Sequence, residues 1–573
     1  MSVPRARFAT AALLAVLSAV FALLAAPGTA LAHASLVAST PAANSVLEDP
    51  PAEIVLDFDE AIEGQLASIR VFDASGSAVE LGAPAEGADD SIVRAAVPSL
   101  GDGIYAVVWR VTSADGHVVD GAFSFQVGTA ATGDGQELID RVRGGARADA
   151  SVRWWHGVAR FLSLIGAIVL LGAGGWALVG PAPLLAGGRA GGLAEGHAES
   201  PAGGRADGQV AGGHVGRRVG RLLVAAAAAL LVGSAATFGL FGAEAVAGGL
   251  GDAFTPSLWG DVAGTETGRM LLVRTGLALL LAGLLALRGH RREGWWRSSA
   301  FTAALFVLYT FPAAGHPSGL DPAAPWIAVD LLHLAAISVW IGGLALLAIA
   351  GRAALAEPDG DRLVRRFSLV ATISVPLIVA TGVAQTLKLG DGLSTIADTE
   401  WGQLLLTKVA VVAALLAVAA ASRWLLRNGV AGSVHRTMVG EAVLGLVVVG
   451  FAAGVVALPP EPPVASRPFA EQLAADGLIA IVSLSPGSVG SGNEMHLVMT
   501  PPGGSIEPIV SASARVSLPS AGLPNSPIEL VREGANHYSG AVTFPRAGEW
   551  TLEIVVQITD TEQVLLKTTV PIP

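Results

Sequence analysis

The chain has 573 residues, of which 52% are hydrophobic and 14% are charged, with a net charge of −12 and no cysteine. Soluble proteins carry about 25% charged residues, so this composition indicates a multi-pass membrane protein. The acidic balance gives no support to a nucleic-acid partner, and the lack of cysteine excludes disulfides and thiolate metal ligands. The sequence also lacks a glycine-rich phosphate loop, so we expect no nucleotide partner.

Residues 1–32 have the pattern of a secretory signal peptide. An apolar run over residues 11–26 is followed by Ala30-Leu31-Ala32, a small-x-small cleavage signal. Cleavage after this triplet makes His33 the mature N-terminus, where its free amine and its imidazole can chelate one metal ion. A second triplet, Ala32-His33-Ala34, would instead remove the histidine. We favour the first site because it follows the apolar run directly.

Residues 33–128 have the pattern of a small, immunoglobulin-like β-sandwich. Short alternating or apolar runs recur at 53–58, 68–72 and 105–111, and clusters of Gly, Pro, Asn and Asp separate them. Residues 129–152 are rich in glycine and charge, which predicts a linker.

Residues 153–458 are predicted to form a polytopic helical bundle, because they contain about eight apolar segments near membrane-spanning length. The predicted spans are 154–179, 219–243, 269–287, 297–314, 326–350, 367–387, 402–422 and 437–458. Between the first two, the Gly/Ala-rich residues 181–218 are predicted to be a flexible loop.

The distribution of basic residues predicts the orientation in the plasma membrane. Arginine is abundant in the connections 181–218, 288–297, 351–366 and 423–436, whereas the alternate connections contain one basic residue, Lys388. Basic connections face the cytoplasm. We therefore expect both soluble regions on the periplasmic or extracellular side.

Residues 470–573 return to strand patterning, with apolar runs at 478–482, 494–499 and 550–556 separated by proline and glycine turns. This pattern predicts a second β-sandwich outside the membrane. The predicted fold class is therefore mixed and multidomain, with an all-β N-terminal sandwich, a central α-helical membrane bundle and an all-β C-terminal sandwich.

The first sandwich contains candidate metal ligands. The amine and imidazole of His33, together with Asp115 and His117, supply the nitrogen and oxygen donors of a tetragonal Cu(II) site. Glu60 is a further oxygen donor, or an acceptor that orients a histidine. An ordinary polar hairpin turn is the alternative interpretation of Asp115-Gly116-His117.

The segments His33–Pro41, Leu56–Glu60 and Ser113–His117 resemble the periplasmic copper-binding protein CopC, and the match covers essentially all of residues 33–128. The resemblance implies Cu(II) binding by the mature N-terminal histidine, a carboxylate and an Asp-x-His pair. In this chain the corresponding residues are His33, Glu60, Asp115 and His117.

The bundle region is similar to CopD, the membrane partner of CopC, in the stretches Gly315–Gly319, Asp330–Leu344 and Arg366–Ser368. The final region resembles the YtkA-like domain that is sometimes joined to such fusions. Fused CopC–CopD chains are a known bacterial arrangement. The resemblance therefore implies a copper-handling protein of the bacterial inner membrane.

Polar residues in or beside the predicted spans are candidate copper acceptors, since polar groups within the bilayer are costly and tend to be functional. Asp330 and His333 are one helical turn apart, and His156 and His316 belong to the same predicted side of the membrane. We predict the three histidines as copper ligands and Asp330 as a ligand or an orienting group. The alternatives are histidines that satisfy helix ends or contact lipid headgroups, and a charge pair between Asp330 and Lys408.

Three functions remain open on the sequence alone. The first is capture of Cu(II) outside the cytoplasm and transfer to the bundle for copper import, homeostasis and resistance. The second is a membrane-anchored copper buffer that hands the ion to an external acceptor or chaperone. The third is oxygen activation at a terminal-histidine copper centre, which Asp115 and Glu60 oppose because their carboxylates fill the positions an oxygen species would need. We therefore expect no enzyme activity, and we expect copper ions and the lipid bilayer as partners.

Overall fold

A computed structural model gives the fold of most of the chain beyond the predicted signal peptide, which lies outside the described residues together with His33 and Asp115. The described residues are 34, 36–43, 45–87, 89–114, 116–128, 135–143, 149–179, 205–287, 294–320, 322–351, 355, 358–389, 400–428, 431–455, 469–485, 487, 489–502, 509–534, 536–559 and 561–572.

The N-terminal domain is a β-sandwich of two sheets, with strand orders β1-β3-β7-β6 and β2-β9-β8-β4-β5. The strands are β1 (Leu36–Thr40), β2 (Val46–Leu47), β3 (Glu53–Phe58), β4 (Ser68–Phe72), β5 (Ala78–Val79), β6 (Ala85–Glu86), β7 (Ile92–Ala96), β8 (Gly103–Thr112) and β9 (Val118–Val127). Alternation places Ile54, Leu56 and Phe58 of β3 in the core, where Phe58 meets the edge of Trp109. The long β8–β9 hairpin carries the turn 113–117 at its tip.

A short helix lies in the segment that the sequence predicts as a linker. Helix α1 (Gly135–Arg143) buries Leu138 and Ile139 against Ile104 and Ala106 of β8. Its three apolar residues, Leu138, Ile139 and Val142, have helical spacing, but the Gly- and charge-rich composition around them favoured a linker. The remainder of the predicted linker, except residues 149–152, lies outside the described residues.

The central region is a helical bundle. Its helices are α2 (Ala150–Val179), α3 (Arg205–Ala245), α4 (Pro256–Gly264), α5 (Glu266–Ala286), α6 (Gly294–Tyr309), α7 (Ala323–Ala350), α8 (Pro358–Leu389), α9 (Glu400–Arg427) and α10 (Ala431–Val455). Seven of these described helices are long and apolar enough to cross a membrane, namely α2, α3, α5, α7, α8, α9 and α10.

Helix α6 corresponds to the remaining predicted span, 297–314, but it has only 16 residues. It packs antiparallel to α5, because Trp296 donates to the Leu284 carbonyl at one end and Arg274 donates to the Thr310 carbonyl at the other. Two 3₁₀ turns, Pro312–Ala314 and His316–Gly319, follow it. The predicted count of about eight is therefore seven long helices and one short one.

Helix α3 begins earlier than expected. The sequence predicts a flexible loop over 181–218 and a span from 219, whereas α3 starts at Arg205. Glycine and alanine in this stretch were taken as a sign of low complexity, but alanine is also the best helix former. Residues 180–204 lie outside the described residues.

The C-terminal region is a second pair of sheets, with strand orders β10-β11-β12-β16-β15 and β14-β13-β17-β18. The strands are β10 (Phe469–Ala475), β11 (Leu478–Ser485), β12 (Gly490–Thr500), β13 (Ser511–Leu518), β14 (Leu523–Ile528), β15 (Val531–Gly534), β16 (His537–Phe544), β17 (Gly548–Gln557) and β18 (Gln563–Ile572). Trp550 and Phe544 lie in the core between the two sheets. The predicted fold class, with two β-sandwich regions around a helical bundle, is confirmed.

Candidate functional site

The N-terminal domain contacts one end of the helical bundle through an apolar cluster. Leu66, between β3 and β4, packs with Phe241 near the end of α3 and with Leu258 and Val262 of α4. Val118, at the start of β9, packs against the same cluster. Burial of these side chains gives the interface a hydrophobic centre.

Polar contacts fix the domain on this end of the bundle. The buried Arg110 of β8 donates from Nε to the Ala245 carbonyl at 3.0 Å and from Nη2 to the Glu244 carbonyl at 2.7 Å. These carbonyls end α3, where intrahelical donors run out, so a guanidinium from outside the helix satisfies them. On the other side, Glu63 accepts a hydrogen bond from the Glu266 backbone amide at 2.6 Å, in the first turn of α5.

Burial at this contact raises the pKa of the Glu63 carboxyl above its ordinary value. The hydrogen bond from the Glu266 amide and the nearby Arg269 oppose the rise, while the charges of Glu266 and Glu86 add to it. The docked arrangement therefore favours protonation of Glu63.

The turn 113–117 brings the N-terminal domain closest to the bundle. Gly116 has φ of +83°, and a Cβ there would lie 2.5 Å from the Thr267 hydroxyl of α5. Both the positive φ and the close approach require glycine. The backbone of the turn therefore lies in close contact with the helical bundle, and His117 faces the bundle.

His117 meets a histidine of the bundle at this contact. Its ring stacks on that of His316, with centroids 4.2 Å apart and planes 6° from parallel. His117 is 8% exposed and His316 is 7% exposed. The structure thus brings together two histidines that lie almost 200 positions apart in the chain.

A third histidine lies near this pair. His156 of α2 is buried, its Nδ1 contacts Oε2 of Glu244, and its charge interacts with that of His117. A carboxylate at Nδ1 fixes the proton on that nitrogen and leaves Nε2 as a lone-pair donor. Nε2 is buried and makes no hydrogen bond with any residue in the part of the chain that the structure describes.

Two hydroxyl groups beside the turn are also buried without a hydrogen-bond partner among the described residues. Thr112 Oγ1, at the end of β8, and Thr267 Oγ1, against Gly116, are buried and make no hydrogen bond within the described ranges. Buried polar atoms are nearly always satisfied, so an accumulation of such atoms calls for an explanation. Together with His156 Nε2, they line the contact between the two domains.

The predicted capture ligands are only partly described. Glu60 accepts a hydrogen bond from the Ser113 hydroxyl at 2.5 Å, and the Ser113 amide donates to the His117 carbonyl at 2.8 Å. Glu60 therefore braces the turn that carries His117. Because His33 and Asp115 lie outside the described residues, their positions relative to this turn stay a prediction. Among the residues described, no three of His, Cys, Asp and Glu are arranged to hold a metal ion.

Asp330 and His333 of α7 have different neighbours. His333 Nδ1 lies 2.8 Å from the Thr381 hydroxyl of α8, and Gln385 Nε2 donates to Asp330 Oδ1 at 2.7 Å. Lys408 of α9 interacts electrostatically with both. The predicted membrane ligands therefore fall into two groups: His156 and His316 at the domain interface, and Asp330 and His333 against α8 and α9.

Sequence reasoning missed three residues of the interface: Arg110, Glu63 and Glu244. Glu244 carried a usable signal, because a carboxylate at the end of an apolar span needs a partner. Arg110 and Glu63 gave no such signal, because charged residues are common in the strands and loops of soluble β-sandwiches.

Comparison with known families gives three matches along the chain. Residues 36–128 match the CopC domain, residues 151–323 match the copper resistance protein D-like N-terminal domain, and residues 361–455 match copper resistance protein D.

Individual proteins are similar over different lengths. Copper transport protein CutJ of Bacillus subtilis (strain 168) is 26% identical over 478 residues, 81% of each chain. Protein YobA of Escherichia coli (strain K12) is 32% identical over 99 residues, which are 17% of this chain and 79% of YobA. The crystal structure of CopC from Methylosinus trichosporium OB3b shows 30% identity, covering 18% of this chain and 98% of that one, with a TM-score of 0.16.

Proposed function

Because this chain joins a CopC domain to a CopD domain, we propose that it captures Cu(II) outside the cytoplasm and passes it to the membrane domain. The purpose is copper import, with consequences for copper homeostasis and resistance. The chain is a multi-pass membrane protein in which both soluble domains face the periplasm or the cell exterior. The proposal involves binding and movement of an ion, with no chemical change to a substrate.

The observation that carries this proposal is the meeting of His117 with His316 at the domain interface. A capture domain that only stored copper would have no reason to place its candidate ligand against a histidine of the bundle. The similarity to a protein named as a copper transport protein, over four-fifths of both chains, supports the same direction of inference.

The proposed capture ligands are His33, with its free amine, His117 and Asp115. Glu60 is either a further oxygen donor or the group that braces the turn of His117 through Ser113. Nitrogen and oxygen donors in this combination favour Cu(II) among the divalent ions. His156 and His316 are the first proposed acceptors in the membrane domain. His333 and Asp330 come later on the path, and Lys408 is a charge partner of Asp330.

Copper content of cells tests the proposal. Cells that produce the protein should accumulate more copper, by elemental analysis, than cells that lack it, and His33→Ala and His333→Ala should each remove the difference. His435→Ala is a matched control, because that histidine contacts the Ala348 carbonyl at the far end of α7. Equal copper in wild-type cells and in both variants would overturn the import proposal. Copper binding without import would instead support an anchored buffer that hands the ion to an external acceptor.

A further inference from the structure

We propose that His117, His156 and His316 form a copper site shared between the N-terminal domain and the bundle, and that Glu244 positions His156 within it. This inference rests on the proposed function and adds the place and the ligands of the transfer step. The site differs from the capture set, because two of its three ligands belong to the membrane domain.

The first argument is the burial of the three imidazoles at one contact. His117 and His316 are stacked at 4.2 Å. His156 contacts Glu244, whose carbonyl accepts a hydrogen bond from Arg110 of the N-terminal domain, and its ring lies 6.5 Å from Phe241 of the interface cluster. All three are more than nine-tenths buried, with exposed fractions of 8%, 7% and 1%. Imidazole nitrogens are good ligands for copper in either oxidation state.

The second argument is the pairing of His156 with Glu244. A histidine that ligates a metal almost always donates its other ring N–H to a carboxylate, a carbonyl or water. Glu244 takes this part at Nδ1, and Arg160 and Arg110 lie near enough to act on its charge. The buried Nε2 of His156 is then left with a lone pair and no hydrogen-bond partner among the described residues. A ligand nitrogen awaiting an ion has this arrangement.

The third argument is the polar character of the surrounding wall. The Thr112 and Thr267 hydroxyls border the turn of His117 and are buried without a hydrogen bond in the described part of the chain. An apolar interface would gain from methyl groups at these positions. Hydroxyls are suited to hold water ligands of an ion that passes between the domains.

The stacked rings of His117 and His316 must turn before both can bind one ion, because ring nitrogen lone pairs lie in the ring planes. In the docked arrangement no three described residues hold a metal ion, so the shared site forms when the side chains rotate around an incoming ion. His117 belongs to both ligand sets. Copper therefore passes by ligand exchange, in which His316 and His156 replace the ligands of the capture set while His117 stays bound. The ion is not released to water, and its charge is unchanged by the step.

A Cu(II) titration of the full chain in lipid nanodiscs tests this site, with pulsed electron paramagnetic resonance to count imidazole ligands. In the His33→Ala background the capture set is weakened, and we expect the remaining Cu(II) to show imidazole nitrogens. Adding His156→Ala or His316→Ala should lower the number of coordinated imidazoles, leaving that of His117, whereas adding His435→Ala should leave the number unchanged. Adding Glu244→Gln should lower the affinity by about 10- to 100-fold.

Folding is controlled by comparing thermal midpoints, and His156→Gln replaces His156→Ala if the latter is unstable. Identical spectra and affinities in the His33→Ala background with and without the His156 substitution would overturn the shared site. Wild-type chain that binds Cu(II) but transports none would overturn the proposed function instead, so the two failures are distinguishable.

Discussion

The imidazole of His117 lies parallel to that of His316, 4.2 Å away, although one belongs to a β-hairpin and the other to a turn between helices. The contact joins the N-terminal sandwich to the helical bundle, two regions with separate sequence patterns. The proposed transfer of copper to the bundle therefore depends on docking of the N-terminal domain.

Arg110 should be the strongest polar determinant of docking. Replacement by alanine removes two hydrogen bonds to the end of α3 and leaves those carbonyls and Asp120, 3.8 Å from Arg110, without the guanidinium. Hydrogen bonds to charged groups contribute about 1.5–3 kcal/mol each, so we expect docking to weaken by roughly 3 kcal/mol.

Because the chain has no natural cysteine, one engineered pair reports docking cleanly. Gln65→Cys and Gly264→Cys place thiols where a Gly264 Cβ would touch the Gln65 side chain. Arg110→Ala should slow cross-linking of this pair, and Arg94→Ala, exposed on the other sheet, should not. Equal cross-linking rates in both variants would argue against a docking role for Arg110.

Docking should strengthen on mild acidification through Glu63. Burial raises its pKa in the docked state, so docking favours the protonated form. The contribution of Glu63 is fully present below its ordinary pKa and is lost as the pH rises through the raised value. Glu63→Gln mimics the protonated form, and it should remove this pH dependence and tighten docking at neutral pH.

The same cysteine pair measures the effect of pH. Cross-linking should be compared across pH 4 to 8 after correction for thiolate reactivity, with the exposed Glu53→Gln as the control. A pH profile that Glu63→Gln leaves unaltered would show that another group controls docking.

Glu60 should support capture by holding the turn of His117. Glu60→Gln weakens the hydrogen bond with Ser113, whose amide contacts the His117 carbonyl. Loss of a group that orients a metal ligand costs about 10- to 100-fold in affinity. Isothermal titration with Cu(II) should show a loss in that range, and Glu53→Gln should show none. A complete loss of binding would make Glu60 a direct ligand.

Asp330 can be tested for a role beyond its interaction with Lys408. Asp330→Asn removes the carboxylate that interacts electrostatically with Lys408, so we expect the single variant to lose thermal stability. Combining it with Lys408→Gln removes both charges and should restore most of the thermal stability. We expect the double variant to fold but to transport less copper than wild type. Full recovery of transport would assign Asp330 a structural role only.

The fold class followed from patterns that burial imposes on the sequence. Strand alternation in β3 and apolar length in α2 are local signals, and both gave the right element type. Helix α6 was harder to define, because its 16 residues and the two 3₁₀ turns after it have the composition of one longer span. Helix α1 was missed because Leu138, Ile139 and Val142 lie within a Gly- and charge-rich segment whose composition favours a linker.

The candidate site depended on contacts that no local pattern encodes. The sequence identifies His117, His156 and His316 as candidate copper ligands. Only docking of the N-terminal domain on the bundle brings them together. The hydrogen-bond partners of Asp330 and His333, which are Gln385 and Thr381, both lie on α8, and no local pattern indicates them. Glu244 was overlooked because its role is to orient His156, and that contact between α3 and α2 cannot be seen in the sequence.

Copper flux into vesicles tests the central claim most directly. Reconstituted wild-type protein, given labelled copper on the side of the N-terminal domain, should deliver it to the vesicle interior. His316→Ala should abolish delivery while leaving Cu(II) binding to the N-terminal domain intact, and His435→Ala should behave as wild type. Delivery at the wild-type rate by His316→Ala would contradict transfer through the contact between His117 and His316.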